Sequence, residues 1–285
     1  MTLKIYITGI TIDSNIITIN YKKEHYFEPN TKRGICLSHK YDNDNAFIEP
    51  FKSGNIKWFY NYGLDIMGNL DSKFEDIEFV PKIWGAGHIL DSYSNNTKSK
   101  AIMSFNEPFQ KNQANMTISQ IKSRWDEVIN MAKGMRLGLV SLTGGVNKYK
   151  SQINELKSAI PFDTIDFIEL HHYSCNSNEL NTTINEIYKQ TKKPIWITEF
   201  ACADYSNNNN PYKNPTAQLN YMKSVLPMLE ANPYVEKYSW FTTEPAKAFI
   251  EEQANIELLE EVEINKKYIL VKGIGEYYDN YIYPT

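Results

Sequence analysis

Two glutamates carry the chemistry that this sequence points to. Residues 101–108 read AIMSFNEP: a short run that favours a buried, extended backbone delivers Asn106 and Glu107 to a strand end, and Pro108 turns the chain out of it. Residues 194–200 read PIWITEF and repeat the plan, ending a second apolar run in Thr198 and Glu199. Paired carboxyl groups at neighbouring strand ends suit cleavage of a glycosidic bond. One protonates the departing oxygen while the other attacks or stabilises the sugar carbon. A retaining enzyme of this kind holds the two groups about 5 to 5.5 Å apart, and an inverting one separates them further to admit a water.

The elements that must position this pair alternate along the chain. Strands are expected at 34–37, 56–60, 78–83, 101–106, 137–142, 165–171, 194–199 and 237–241. Thr117 caps a helix running to about residue 133, with Ile121, Trp125, Val128 and Ile129 on one stripe. Similar periodicity covers 147–160 and 179–191, and Asn214 or Thr216 opens a further helix. Eight strand–helix repeats predict an α/β fold, the (β/α)8 TIM barrel, in which chemistry sits at the C-terminal strand ends. On that count Glu107 ends strand four and Glu199 ends strand seven. Before the barrel, two Ile- and Thr-rich runs separated by Asp13-Ser14-Asn15 predict a β-hairpin. The expected organisation is a hairpin extension over 1–31 and a catalytic barrel over 32–285.

At 285 residues with 42% hydrophobic content, the chain is long enough for one large core. A net charge of −4 offers no basic field, so no nucleic-acid partner is expected. Eighteen consecutive apolar residues occur nowhere, and the first twenty residues show neither an unbroken apolar run nor a small-residue cleavage site. Neither a membrane span nor a signal peptide is therefore expected, and the compartment is left open. Three cysteines, Cys36, Cys175 and Cys202, are too few for a disulfide framework. Cys175 and Cys202 follow neighbouring strands, yet free thiols are the expectation. His171-His172 lacks further ligands, so no metal and no cofactor are expected.

Aromatic rings are plentiful, with 20 Tyr, 13 Phe and 5 Trp. Trp58, Tyr60 and Trp84 at the ends of strands two and three, with Trp240 in strand eight, are candidate platforms for sugar faces. Trp125 is expected in the core, and strand alternation predicts that Trp196 faces the helices, opposite Glu199.

Seven motifs occur in order: KRGI from Lys32, KWFYNYG from Lys57, FVPKIWG from Phe79, FNEPFQKNQANM from Phe105, DFIELHHY from Asp166, KPIWITEFAC from Lys193 and VEKYSWF from Val235. Together they resemble glycoside hydrolase family 128, the alkali-sensitive-linkage-like β-1,3-glucanases within a clan of retaining barrel glycosidases. The resemblance implies that Glu107 is the acid/base and Glu199 the nucleophile. It also implies that Asn106 bonds the sugar 2-hydroxyl and that Asn61, His171 and Tyr173 line the site. The implied partner is a β-glucan, bound by a monomer. Alternatives are a β-1,4-glucanase or β-mannanase sharing both glutamates, and a non-catalytic glucan-binding protein.

Three positions depart from the family pattern. Tyr62 stands where Trp is usual, and is assigned only a subsite role. Lys82 and Glu169 replace apolar residues two before Trp84 and two before His171. If those neighbours face the barrel mouth, alternation turns both charges inward, and burial then predicts an ion pair between them.

Overall fold

The computed structural model describes residues 2–13, 16–37, 44–68, 70–89, 93–95, 98–203, 214–243, 256–263 and 267–284. β1 (Thr2–Asp13) and β2 (Ile16–Tyr26) pair antiparallel in a sheet of their own. The expected turn at 14–15 lies outside the described residues. The barrel then begins with β3 (Arg33–Cys36), the one-turn α1 (Asn45–Ile48), β4 (Trp58–Tyr60), β5 (Glu78–Phe79) and β6 (Ala101–Ile102). It continues through α2 (Ile118–Met131), β7 (Arg136–Leu137), β8 (Leu142–Thr143), α3 (Val146–Ala159), β9 (Ile168–Tyr173) and α4 (Ser177–Thr191). β10 (Ile195–Ala201), α5 (Pro215–Ala231) and β11 (Val235–Trp240) complete it, followed by the hairpin β12 (Leu259–Glu263) and β13 (Lys267–Leu270) and the short α6 (Ile274–Asn280).

Seven strands form one parallel sheet in the order β5-β4-β3-β11-β10-β9-β8, and β6 pairs with β7. Parallel bridges Lys82–Met103 and Gly138–Phe167 join the β6–β7 pair to its neighbours on both sides. Every consecutive pair of the eight strand positions is thereby linked, in the (β/α)8 order read from the sequence. Strands three, four and five are more broken than expected. Pro81 has no N–H to give to a ladder, so β5 stops at Phe79 and contact resumes at Lys82. The fifth strand splits into β7 and β8.

Helices α2, α4 and α5 begin where side chains can satisfy their free N–H groups. Thr117 and Gln120 form a reciprocal capping box on α2. Asn176 and Asn214 cap α4 and α5, and Pro215 opens α5 at a position where a missing N–H costs nothing. The apolar stripes of α2 to α5 pack on the outer faces of the strands: Ile35, Phe59, Ile102, Leu170 and Ile197 meet Trp125, Leu156, Ile184, Val225 and Leu229 in one buried cluster.

A second, smaller cluster fills the barrel itself, from Cys36, Trp58, Tyr60, Val80, Ala101, Met103, Phe167 and Trp196. Trp58 lies so close to β3 that a Cβ on Gly34 would sit 2.3 Å from its ring. Trp196 stacks on Phe167 with centroids 3.8 Å apart. This overturns the expected outward placement of Trp196. The β9–β10 register slips between Ile197 and Glu199, and such a bulge breaks the alternation, so Trp196 and Glu199 both face inward.

Cys175 and Cys202 form a disulfide, contrary to the expectation of free thiols. Pairing of Ala201 with Tyr173 carries β9 and β10 side by side, and both cysteines follow directly beyond it. Sequence spacing of 27 residues gives no hint of that proximity. Cys36 is a buried thiol that donates to the Trp240 carbonyl.

Candidate active site

Glu107, His171 and Glu199 converge at the C-terminal ends of the strands. One oxygen of each carboxyl and one imidazole nitrogen all lie within 4.8 Å of one another. Glu199 comes from β10, aimed inward by the bulge, and His171 from β9. Glu107 follows the β6 run, whose course is held by Met103 N–H donating to the Pro81 carbonyl and Asn106 N–H to the Trp84 carbonyl. Its own φ of 41° lies in the left-handed region, which costs a residue with a Cβ roughly 1 kcal/mol or more.

His171 Nδ1 lies 2.5 Å from Glu107 Oε1 and 3.3 Å from Glu199 Oε2. Its Nε2 is buried with no partner among the described residues. Burial pulls the imidazole down to about 4, so it is neutral at pH 7, and Nδ1 is the nitrogen that meets both carboxyls. Glu199 also accepts from two phenols, Tyr62 at 2.7 Å and Tyr173 at 2.5 Å. Tyr62 is in turn held by Tyr60, whose hydroxyl lies 3.2 Å from it and 3.0 Å from the Thr198 carbonyl.

Burial raises both carboxyls above the usual range, because a charge loses its hydration there. Glu107 reaches about 7, with Lys82 and Lys148 opposing the rise. At Glu199 the neighbouring His171 and the hydrogen bonds from Tyr173 and Tyr62 work against the rise, while Glu107 adds to it. The environments thus differ in kind: donated hydrogen bonds favour ionised Glu199, and Glu107 keeps its proton to neutrality.

Asn106 sits beside the pair. Its amide donates to Gln113 at 3.1 Å, and its Oδ1 is buried with no partner among the described residues. Tyr173 is half-buried at the cleft, and Trp84 is half-buried beside His88. The other candidates are elsewhere. Trp58 is fully buried with its indole N–H on the Lys32 carbonyl, so it fills the barrel and offers no face to a ligand. Trp240 is equally buried, donating to the Ile256 carbonyl. Tyr60 lies under Tyr62 with its ring enclosed. Asn61 bonds Asp44, the Asp65 carbonyl and the Gly63 N–H, which makes it a turn residue. Strand alternation gave no measure of depth below the mouth for Trp58 and Tyr60, and Trp240 lies on the helix side of its strand, against Tyr221 of α5.

Tyr62 is the residue whose part sequence reasoning missed. Its spacing two after inward-facing Tyr60 was the available signal. Its φ of 60°, again in the left-handed region, turns its hydroxyl to Glu199. The expected Lys82–Glu169 ion pair is present at 2.9 Å with both side chains fully buried. His172 faces away from the cleft, toward Tyr149 of α3.

Comparison with known proteins places this arrangement. Alkali-sensitive linkage protein 1 of Schizosaccharomyces pombe is 28% identical over 200 residues, which cover 70% of this chain and 36% of that protein. The chain thus matches only about a third of the length of that curated relative. A glycoside hydrolase family 128 subgroup I endo-β-1,3-glucanase from Amycolatopsis mediterranei, solved with laminaritriose, superposes with a TM-score of 0.69 at 24% identity. That match covers 87% of this chain and 98% of the other. A subgroup V exo-β-1,3-glucanase from Cryptococcus neoformans gives 0.72 at 20% identity, over 87% and 97%. These structures share the fold. Residues 34–265 match the sequence model of the glycosyl hydrolase catalytic core, and across most of its length this chain therefore belongs to that family of glycosidases.

Proposed function

We propose that the protein hydrolyses β-1,3-glucan within the chain, with retention of anomeric configuration, using Glu107 as acid/base and Glu199 as nucleophile. The observation that carries this reading is that one oxygen of Glu107 lies within 4.8 Å of one oxygen of Glu199. Inversion needs roughly 6.5 to 9.5 Å between them to seat a water.

In the first step Glu199 attacks the anomeric carbon as Glu107 gives its proton to the departing oxygen, leaving a glycosyl ester on Glu199. Glu107, now ionised, takes a proton from water, whose oxygen attacks the same carbon and releases Glu199. Neutral His171 bonds Glu107 and holds its carboxyl toward the cleft. Tyr62 and Tyr173 stabilise ionised Glu199 before attack and again as it departs. Asn106 offers its unpaired Oδ1 to a sugar hydroxyl. The β-1,3 linkage is supported by the laminari-oligosaccharide in the similar Amycolatopsis enzyme and by the family motifs.

Incubation with β-1,3-glucan, β-1,4-glucan and mannan, with products followed by mass spectrometry and their anomeric form by NMR, tests the reading. Internal cleavage of β-1,3-glucan to β-configured oligosaccharides is expected, with activity falling above about pH 7 as Glu107 loses its proton. α-Configured first products would overturn retention. Release of glucose alone would overturn endo action, and cleavage confined to β-1,4-glucan or mannan would overturn the substrate.

A further inference from the structure

One layer deeper than Glu107, His171 and Glu199 lies a buried group that this reaction does not use. Lys82 Nζ stands 2.9 Å from Glu169 Oε2, and neither side chain is exposed. Ser141 closes the triangle: Lys82 donates to its Oγ at 2.6 Å, and the hydroxyl donates to the same Glu169 oxygen at 2.8 Å. The other oxygen, Glu169 Oε1, has no partner among the described residues. It occupies space that a Cβ at position 138 would fill, only 2.5 Å away, so Gly138 makes room for the carboxylate.

Stability gives no reason for charges here. Two buried ions lose their hydration, and an apolar pair of similar volume is often as stable or more so. Their location is what distinguishes them. Glu169 precedes His171 by two residues on β9, and Lys82 favours the ionised form of Glu107 while opposing protonation of His171. Glu169 acts on His171 in the reverse sense.

We propose that Lys82, Ser141 and Glu169 form a buried positioning element for the carboxyl pair, with Lys82 two residues before Trp84 on strand three and Glu169 two before His171 on strand six, setting the pH range in which the pair works. This inference rests on the glycosidase reading of Glu107 and Glu199. The other titratable or charged groups around Glu107 are His171 and Tyr173 from β9, Glu199 from β10, Tyr62 beyond β4, and Lys148 and Tyr149 from α3. Lys148 acts in the same direction as Lys82 but is exposed, so water and salt screen it. Lys82 is not screened.

The signs follow from the charges. Lys82→Met removes the cation that favours ionised Glu107, so the proton is held to higher pH and the alkaline limb of activity moves up. Glu169→Gln leaves Lys82 unopposed and moves the limb down. The double variant Lys82→Met/Glu169→Leu refills the interior with apolar groups and folds even where either single change does not. It lacks the Lys82 cation that favours ionised Glu107, so its limb rises by about one pH unit.

Profiles of kcat/KM against pH are read beside 13C NMR titration of labelled glutamate carboxyls in the unliganded protein, which reports the Glu107 midpoint without turnover. A purely structural triad lowers activity at every pH and leaves that midpoint in place. An unmoved Glu107 midpoint in the folded double variant overturns the proposal. A native protein that cleaves no glycan overturns the glycosidase reading instead, and the NMR midpoint still decides the role of the triad.

Discussion

The two ends of the barrel bury charge in opposite ways. At the N-terminal end, Lys32 spends its three donors on the carbonyls of Leu229, Glu230 and Asn232. Arg33 donates to the carbonyls of Tyr278, Asp279 and Tyr281 and to the Tyr238 hydroxyl. Glu230 accepts from that hydroxyl and from the Asn30 N–H. At the C-terminal end, Asn106 Oδ1, His171 Nε2 and Thr198 Oγ1 are buried without partners among the described residues. Two residues there, Glu107 and Tyr62, also sit at positive φ. Satisfied charges fix one packing arrangement and have no capacity left for a ligand. Unpaired polar atoms on strained backbone cost stability, and are kept where something else binds or reacts.

Substitutions at the two ends therefore ought to fail differently. Glu199→Gln is expected to lower kcat about 10,000-fold. Because it also removes a buried charge, melting temperature should hold or rise; a lower melting temperature with substantial activity would erase the contrast. Arg33→Met strands Glu230 at the other end and is expected to cost roughly 3 to 5 kcal/mol in urea unfolding. The rate per folded molecule should be unchanged.

Tyr62→Phe sharpens the comparison further. It deletes one charged hydrogen bond to Glu199, worth roughly 1.5 to 3 kcal/mol, so a 10- to 100-fold loss in kcat is expected. A change confined to KM would return Tyr62 to the subsite role that sequence alone assigns it. The smallest effect is at Trp84, half-buried at the cleft. Trp84→Ala should weaken titrated laminari-oligosaccharides by about tenfold through loss of a stacking face. A large drop in melting temperature with unchanged affinity would place the ring in the core.

Glu107, Glu199, Asn106, His171 and Tyr173 were legible because each closes or follows an apolar run that reads as a strand, and strand ends are where this fold collects its side chains. Helices α2 and α5 were legible for the same local reason: a capping residue followed by an apolar stripe marks where each begins. Trp58 was read wrongly because a ring in an inward-facing position has the same sequence signature at the mouth and at mid-barrel, and Trp240 because it lies on the outer face of its strand, against Tyr221 of α5. The full burial of Trp58, its indole N–H on the Lys32 carbonyl and its close approach to Gly34 show that it is interior filling.

By itself, the sequence determined the alternation of strands and helices, the two carboxyls and the inward direction of Lys82 and Glu169, since these follow from period and spacing along the chain. Tertiary structure alone decided the bulge that brings Glu199 and Trp196 to one face, and the joining of Cys175 to Cys202. It also decided that Ser141 joins the Lys82–Glu169 pair. Each of these depends on register between strands far apart in sequence, and a one-residue slip in register reverses which face a side chain occupies.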